Sequence, residues 1–181
     1  MDLLLILDLS GSDEDYYNIL VQLTQQIVFG VPVDHANARV AIITYSDLAA
    51  VKFYLNKYTT RDQVINALSS IGLPGGTTNT QAALSLAYND VFTTANGDRS
   101  SVNNIAVVLT DGGSNVFPQN TSTEAAKTRV AGIELYAVSV GSSPNMGEIY
   151  SIASSLQHVF TAATIDDVGD TVYSILNRLC Q

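Results

Sequence analysis

Leu3-Leu4-Leu5-Ile6-Leu7-Asp8-Leu9-Ser10-Gly11-Ser12 decides the reading of this chain. Five aliphatic residues without alternation have the length and pattern of a strand buried on both faces, as in a parallel sheet covered by helices. The run ends in one carboxylate and two hydroxyls at alternate positions, Asp8, Ser10 and Ser12. Such a strand end is an oxygen-rich cup. No base, thiol or phosphate loop accompanies it, so its donors suit a hard divalent cation better than bond-making chemistry.

Outward from this stretch, apolar runs and helical patterns alternate. Tyr16, Ile19, Leu20, Leu23 and Ile27 fall at helical spacing, with Asp13, Glu14 and Asp15 where a first turn favours acids and Gly30 and Pro32 as the stop. Residues 40–45 read as a second strand and 51–55 as a third. The break between them is too short for a parallel crossover, so that pair is antiparallel. Thr60 or Asp62 opens a helix through Val64, Leu68 and Ile71. Leu73-Pro74-Gly75-Gly76 is a turn, and residues 77–80 lead into a helix carrying Ala83, Leu84, Ala87 and Val91. Strands are expected at 105–109, 135–140 and 158–161, and helices at 123–131, 147–155 and 165–179. The pattern predicts a three-layer, doubly wound α/β fold: a mostly parallel sheet, one antiparallel edge strand, and helices on both faces. Residues 1–181 read as a single domain, since no linker, repeat or composition shift divides them.

Composition excludes several functions. The net charge is -9 and the chain has eight Lys and Arg residues in all, too few for the basic surface that nucleic acid requires. No apolar run approaches the ~20 residues of a membrane span. Residues 3–7 are too short for a signal-peptide core and no basic region precedes them, so targeting signals are expected elsewhere unless the protein is cytosolic. The only cysteine, Cys180, is either an ordinary thiol or half of a disulfide with a partner outside this chain. Asn120-Thr121-Ser122 fits an N-glycosylation sequon.

Ligands of open α/β sheets bind beyond the carboxyl ends of the strands, where the strand order reverses. Two expected strands end in an aspartate, Asp8 and Asp111. If these strands are neighbours, both carboxylates face one crevice. Ser10 and Ser12 follow the first, and Thr78, beyond Gly75-Gly76, can deliver a third hydroxyl. Two carboxylates and three neutral oxygens suit Mg²⁺, with Mn²⁺ or Ca²⁺ as alternatives, and leave a position for a partner's carboxylate. Taken singly, Ser10 and Ser12 could be helix caps and Asp111 a turn residue. Enzyme signatures are missing. The first strand leads into no G-x-G-x-x-G, there is no phosphate-loop lysine, and Ser10 stands where an aspartyl phosphatase would carry its second Asp. His35 and His158 show no spacing that pairs them with a nucleophile, and Ser114 lacks the G-x-S-x-G frame.

These residues resemble the von Willebrand factor type A domain, also called the integrin I-like domain. Asp8-Leu9-Ser10-Gly11-Ser12 looks like the first segment of that family's metal-ion-dependent adhesion site, residues 75–80 the second, and Thr110-Asp111-Gly112 the third. The likeness continues through residues 41–46, 137–141, 152–154 and 159–160. It implies Asp8, Ser10, Ser12, Thr78 and Asp111 as metal-site residues, directly or through water, with Thr77 the rival of Thr78. It also implies a non-enzymatic adhesion or matrix domain, extracellular or secreted, that binds a collagen-like or other matrix protein through the metal. The alternative is an intracellular A-type assembly module. Cys180 resembles the closing cysteine of matrix-type members such as matrilins and the collagen VI A domains. Two departures stand out: Leu9 replaces a residue that is usually small, and Asp13 takes a place often aliphatic.

Overall fold

The computed structural model describes residues 1–10, 13–35, 37–72 and 75–179. Strand β1 (Asp2–Asp8) is buried along its whole length. It lies at the middle of a six-stranded sheet, between β2 (Arg39–Tyr45) and β4 (Asn104–Thr110), and is parallel to both. β5 (Ile133–Val140) and β6 (Val159–Ala162) continue in parallel beyond β4. β3 (Ala49–Phe53) closes the other edge, antiparallel to β2, with a bulge at Ile42/Ile43. The order β3-β2-β1-β4-β5-β6 makes β1/β4 the point where the winding reverses.

Alternate residues of β1 face opposite cores. Leu3, Leu5 and Leu7 pack with α1 (Glu14–Gly30), α2 (Arg61–Leu68) and α6 (Val168–Leu179). Leu4 and Ile6 pack with α3 (Thr80–Leu86), α4 (Thr121–Val130) and α5 (Met146–Ile152). Burying each of these five side chains contributes roughly 1.5–3 kcal/mol against exposure. That is why the most apolar stretch of the chain takes the centre.

The expected layers and the antiparallel edge are present, and the details sharpen them. Thr60, not Asp62, caps α2, because Thr60 and Gln63 complete a reciprocal capping box. β3 begins at Ala49, two residues before the expected 51, because Tyr45 pairs directly with Ala49 across a tight hairpin. The helix expected to run through Val91 is α-helical only to Leu86. Residues 87–91 then widen into a π turn, closed by the Phe92 N–H on the Ala87 carbonyl. The last helix opens with a 3₁₀ turn, Ile165–Asp167, fixed by reciprocal bonds between Thr164 and Asp167.

Candidate metal centre

Asp8 is the last residue of β1 and only 1% exposed. Its Oδ1 accepts the Ser10 backbone N–H at 3.0 Å and the Ser10 hydroxyl at 2.6 Å. Its Oδ2 accepts the hydroxyl of Thr110, the last residue of β4, at 2.7 Å. The Thr78 hydroxyl donates to Ser10 Oγ at 2.8 Å. A chain of hydroxyls therefore runs Thr78 to Ser10 to Asp8, joining two loops at the switch point, and Thr110 binds the same carboxylate from a third segment.

Loops on both sides hold Thr78. Its N–H donates to Asn115 Oδ1 at 2.9 Å, and its carbonyl accepts the N–H groups of Asn115 and Val116 at 3.0 and 3.1 Å. Thr77 faces the other way: its N–H and hydroxyl both donate to Asp47 Oδ1 at 2.5 Å, on the β2–β3 hairpin. Thr78 is 5% exposed beside Ser10, while Thr77 is exposed. Gly76 permits this crossing, since its φ is 115° and a Cβ there would stand 2.6 Å from Asp47 Oδ1.

Asp111 follows β4, with Oδ1 accepting the Gly113 N–H at 2.8 Å. Its carbonyl accepts the Asn145 N–H at 2.7 Å, fastening the start of α5 to the site. This brings in Glu148, from the first turn of α5. Glu148 Oε2 accepts the Ser114 N–H at 3.2 Å, while Oε1 is buried with no hydrogen-bond partner. Burial, with smaller help from the charges of Asp8 and Asp111 and against the Thr80 hydroxyl and the Ser114 N–H, pushes the Glu148 carboxyl up to about 7. Burial also raises Asp8, against the hydrogen bonds from Ser10 and Thr110 and with help from Asp111. Burial and the Asp8 charge raise the Tyr16 hydroxyl, so it stays protonated and donates to the Asp8 carbonyl at 3.0 Å.

A depression of about 490 Å³ opens over these groups, lined among others by Ser10, Asp13, Tyr16, Thr78, Asp111 and Asn115. Among the described residues, no three His, Cys, Asp or Glu side chains lie close enough to hold an ion by themselves. An ion here would rest on Asp8, Asp111 and hydroxyls, a donor set that suits a hard cation. The raised carboxyls of Asp8 and Glu148 point the same way. Negative charge is gathered at this end of the sheet: Asp111 raises Asp8, and Asp8 and Asp111 together raise Glu148.

Of the five residues expected at the site, Asp8, Ser10, Thr78 and Asp111 come together at the ends of β1 and β4. Ser12, with Gly11, lies outside the described residues, as does Cys180. Asn120 is exposed and ends a 3₁₀ turn before α4. Leu9 points away from the cup into the core, 3% exposed, and its carbonyl accepts the Gly75 N–H at 3.2 Å. Asp13 caps α1, its Oδ1 accepting the Asp15 N–H at 3.0 Å. Thr110 and Glu148 escaped the sequence reading. Thr110 sat visibly beside Asp111, but the 102 residues separating it from Asp8 hide the contact. Glu148 had no signal at all, because only the docking of α5 brings it near.

Together these features define a class: a doubly wound α/β domain with an oxygen-lined depression at its switch point. The chain belongs to the von Willebrand factor type A domain family, whose profile matches residues 2–174. It is 31% identical to the human collagen alpha-5(VI) chain, over 99% of this chain and 7% of that protein. It is 29% identical to human matrilin-4, over 99% of this chain and 29% of that protein. With the transmembrane cell adhesion receptor mua-3 of Caenorhabditis elegans it shares 28% identity, over 98% of this chain and 5% of the receptor. The chain thus spans less than a third of the length of each. These relatives are matrix and adhesion proteins. Among solved structures, proximal thread matrix protein 1 from the mussel byssus superposes with a TM-score of 0.90 at 20% identity, over 99% of this chain and 47% of that one. Another structure of that protein, TM-score 0.89 and 20% identity over 99% of this chain and 48% of that one, is described as having a zinc occupied MIDAS motif. At such identity the likeness concerns the fold. Among the described residues, no helix is long and apolar enough to cross a membrane.

Proposed function

We propose that residues 1–181 form one non-enzymatic A-type unit of an extracellular adhesion or matrix protein, which binds a protein ligand through a divalent cation. Asp8, Ser10, Ser12, Thr78 and Asp111 would hold the ion, directly or through water. Mg²⁺ is the first candidate for this oxygen set, with Mn²⁺, Ca²⁺ and Zn²⁺ as competitors. The ion would supply a residual positive charge at which a carboxylate of the partner, a collagen-like or other matrix protein, completes the coordination. The chain's own residues shape the seat. Thr110 and Tyr16 orient Asp8, Asn115 positions Thr78, and the Asp111 carbonyl anchors α5. The observation that carries the proposal is the hydroxyl chain from Thr78 through Ser10 to Asp8, which joins distant segments at the one place where the sheet reverses.

The test is a binding screen against matrix proteins with Mg²⁺, Mn²⁺, Ca²⁺ or Zn²⁺ and with EDTA, using Asp111→Ala as control. Binding is expected with a cation, lost in EDTA and lost in the variant. A partner held equally well under all these conditions would end the metal-bridged reading and move the interface elsewhere.

A further inference from the structure

Phe117 is 60% exposed and, among the described residues, the only one besides glycine with positive φ (φ 49°, ψ 52°). A bulky residue avoids the left-handed region, and a residue before proline, here Pro118, is normally extended. The local cause is visible. The N–H groups of Asn115 and Val116 are both committed to the Thr78 carbonyl, so the chain must turn sharply straight afterwards. It does so through a 3₁₀ turn, Pro118–Asn120, closed by the Asn120 N–H on the Phe117 carbonyl at 2.8 Å. Phe117 and Asn120 are then the first and last residues, i and i+3, of one tight turn.

Asn120 is exposed too, and its side chain is uncommitted. It occupies the N-cap position of α4, where an asparagine ordinarily accepts a backbone N–H, but its helical dihedrals (φ -87°, ψ -17°) leave it without a capping bond. The residues that follow, Thr121 and Ser122, complete the sequon. An aromatic ring held out against its own backbone preference thus stands one turn before a free sequon amide.

We propose that Asn120 carries an N-linked glycan and that the Phe117 ring is the platform on which its first N-acetylglucosamine rests. The donor is a lipid-diphosphate-linked oligosaccharide. Asn120 Nδ2 forms the bond to the sugar's C1, the C1–O bond to the diphosphate breaks, and one amide proton leaves; nothing is oxidised or reduced. The pyranose presents a face of axial C–H groups, and the electron-rich face of a ring attracts them. Stacking also covers apolar surface that otherwise lies bare. The inference rests on the secreted location proposed above and not on the cation.

The experiment is secretion from cultured animal cells, followed by mass analysis at Asn120 and proton NMR of the glycoprotein. Asn120 is expected to be occupied, with the first sugar's resonances moved upfield by the ring current. Phe117→Ala should return them to free-glycan positions and lower occupancy, while Phe117→Tyr should preserve both. The glycan should raise Tm in the Phe117 protein and not in Phe117→Ala. An unmodified Asn120 in the secreted protein overturns the proposal. So do sugar resonances that are the same with Phe and Ala. Loss of matrix binding in Phe117→Ala with unchanged sugar resonances would assign the ring to the partner surface instead. EDTA should leave every glycan readout unmoved, which separates this inference from the metal reading.

Discussion

Strand β1 has an aspartate at each end, and the two are treated oppositely. Asp2 is 0% exposed and fully matched: Arg99 donates its backbone N–H at 2.7 Å, its Nε at 2.8 Å and a terminal guanidinium nitrogen at 2.7 Å. Asp8, six residues on and 1% exposed, receives hydroxyls and one backbone N–H, with Asp111 and Glu148 for company. Same strand, same residue type, same burial: the difference is the countercharge. A buried carboxylate with a guanidinium is part of the fold's own balance, whereas one left to neutral donors keeps an electrostatic demand that an external cation can meet. The contrast separates structural acids from binding acids by partner rather than by exposure.

The largest expected effect tests the structural end. Arg99→Ala leaves Asp2 buried without its countercharge, with only the residue-99 backbone N–H still bonded to it, and should cost about 3–5 kcal/mol in urea unfolding while cation affinity stays within about twofold. A loss below about 1 kcal/mol would remove the basis of the contrast. At the other end, Asp8→Asn should leave stability in EDTA unchanged or raise it by up to about 1 kcal/mol. It should abolish the gain that saturating cation gives the wild type, about 2.7 kcal/mol at a hundredfold excess over Kd. If it costs as much as Arg99→Ala, Asp8 is structural as well.

A smaller effect lies in the pH dependence of the metal-free protein. The Glu148 carboxyl rises from an ordinary 4.5 to about 7, so the folded form holds the proton more tightly than the unfolded chain. Its contribution is fully present below the ordinary value and is lost as pH climbs through about 7. With the group half-buried and partly screened, the loss should be about 1–2 kcal/mol, measured in EDTA, and Glu148→Gln should flatten it. Smallest is Asp13→Asn. Asparagine caps as well as aspartate, so α1 is preserved and only the charge goes. Calorimetry should show Mg²⁺ binding weakened about two- to fivefold, from roughly 0.5–1 kcal/mol of lost attraction at a partly solvated site. Unchanged affinity would assign Asp13 to capping alone.

Much of this contrast was legible from residues in order. The aliphatic run before Asp8 announces a central strand, because only such a strand tolerates apolar side chains on both faces. The short break after Tyr45 dictates an antiparallel partner. Gly75-Gly76 marks the loop that presents Thr78. What escaped depends on docking rather than succession. Arg99 meets Asp2 across 97 residues, Thr110 meets Asp8 across 102, and Glu148 arrives only because Asn145 bonds to the Asp111 carbonyl. The swap of Thr77 toward Asp47 is also a matter of register, since either threonine could have faced the cup until the hairpin claimed one. Leu9 looked like a modification of the site but serves the core, because an odd position on a strand exit points inward as readily as outward.

The flanks of the sheet bear on how such domains live at high concentration. β6 is only four residues long, and β3 is bulged against its neighbour and carries an exposed Lys52. Short, kinked or charged margins are poor templates for another strand. Among the described residues, neither sheet edge therefore offers crowded copies a long, flat border along which to zip into fibrils. Self-association by the route most open to a β-sheet is discouraged, and contacts between units fall to the loops and helices.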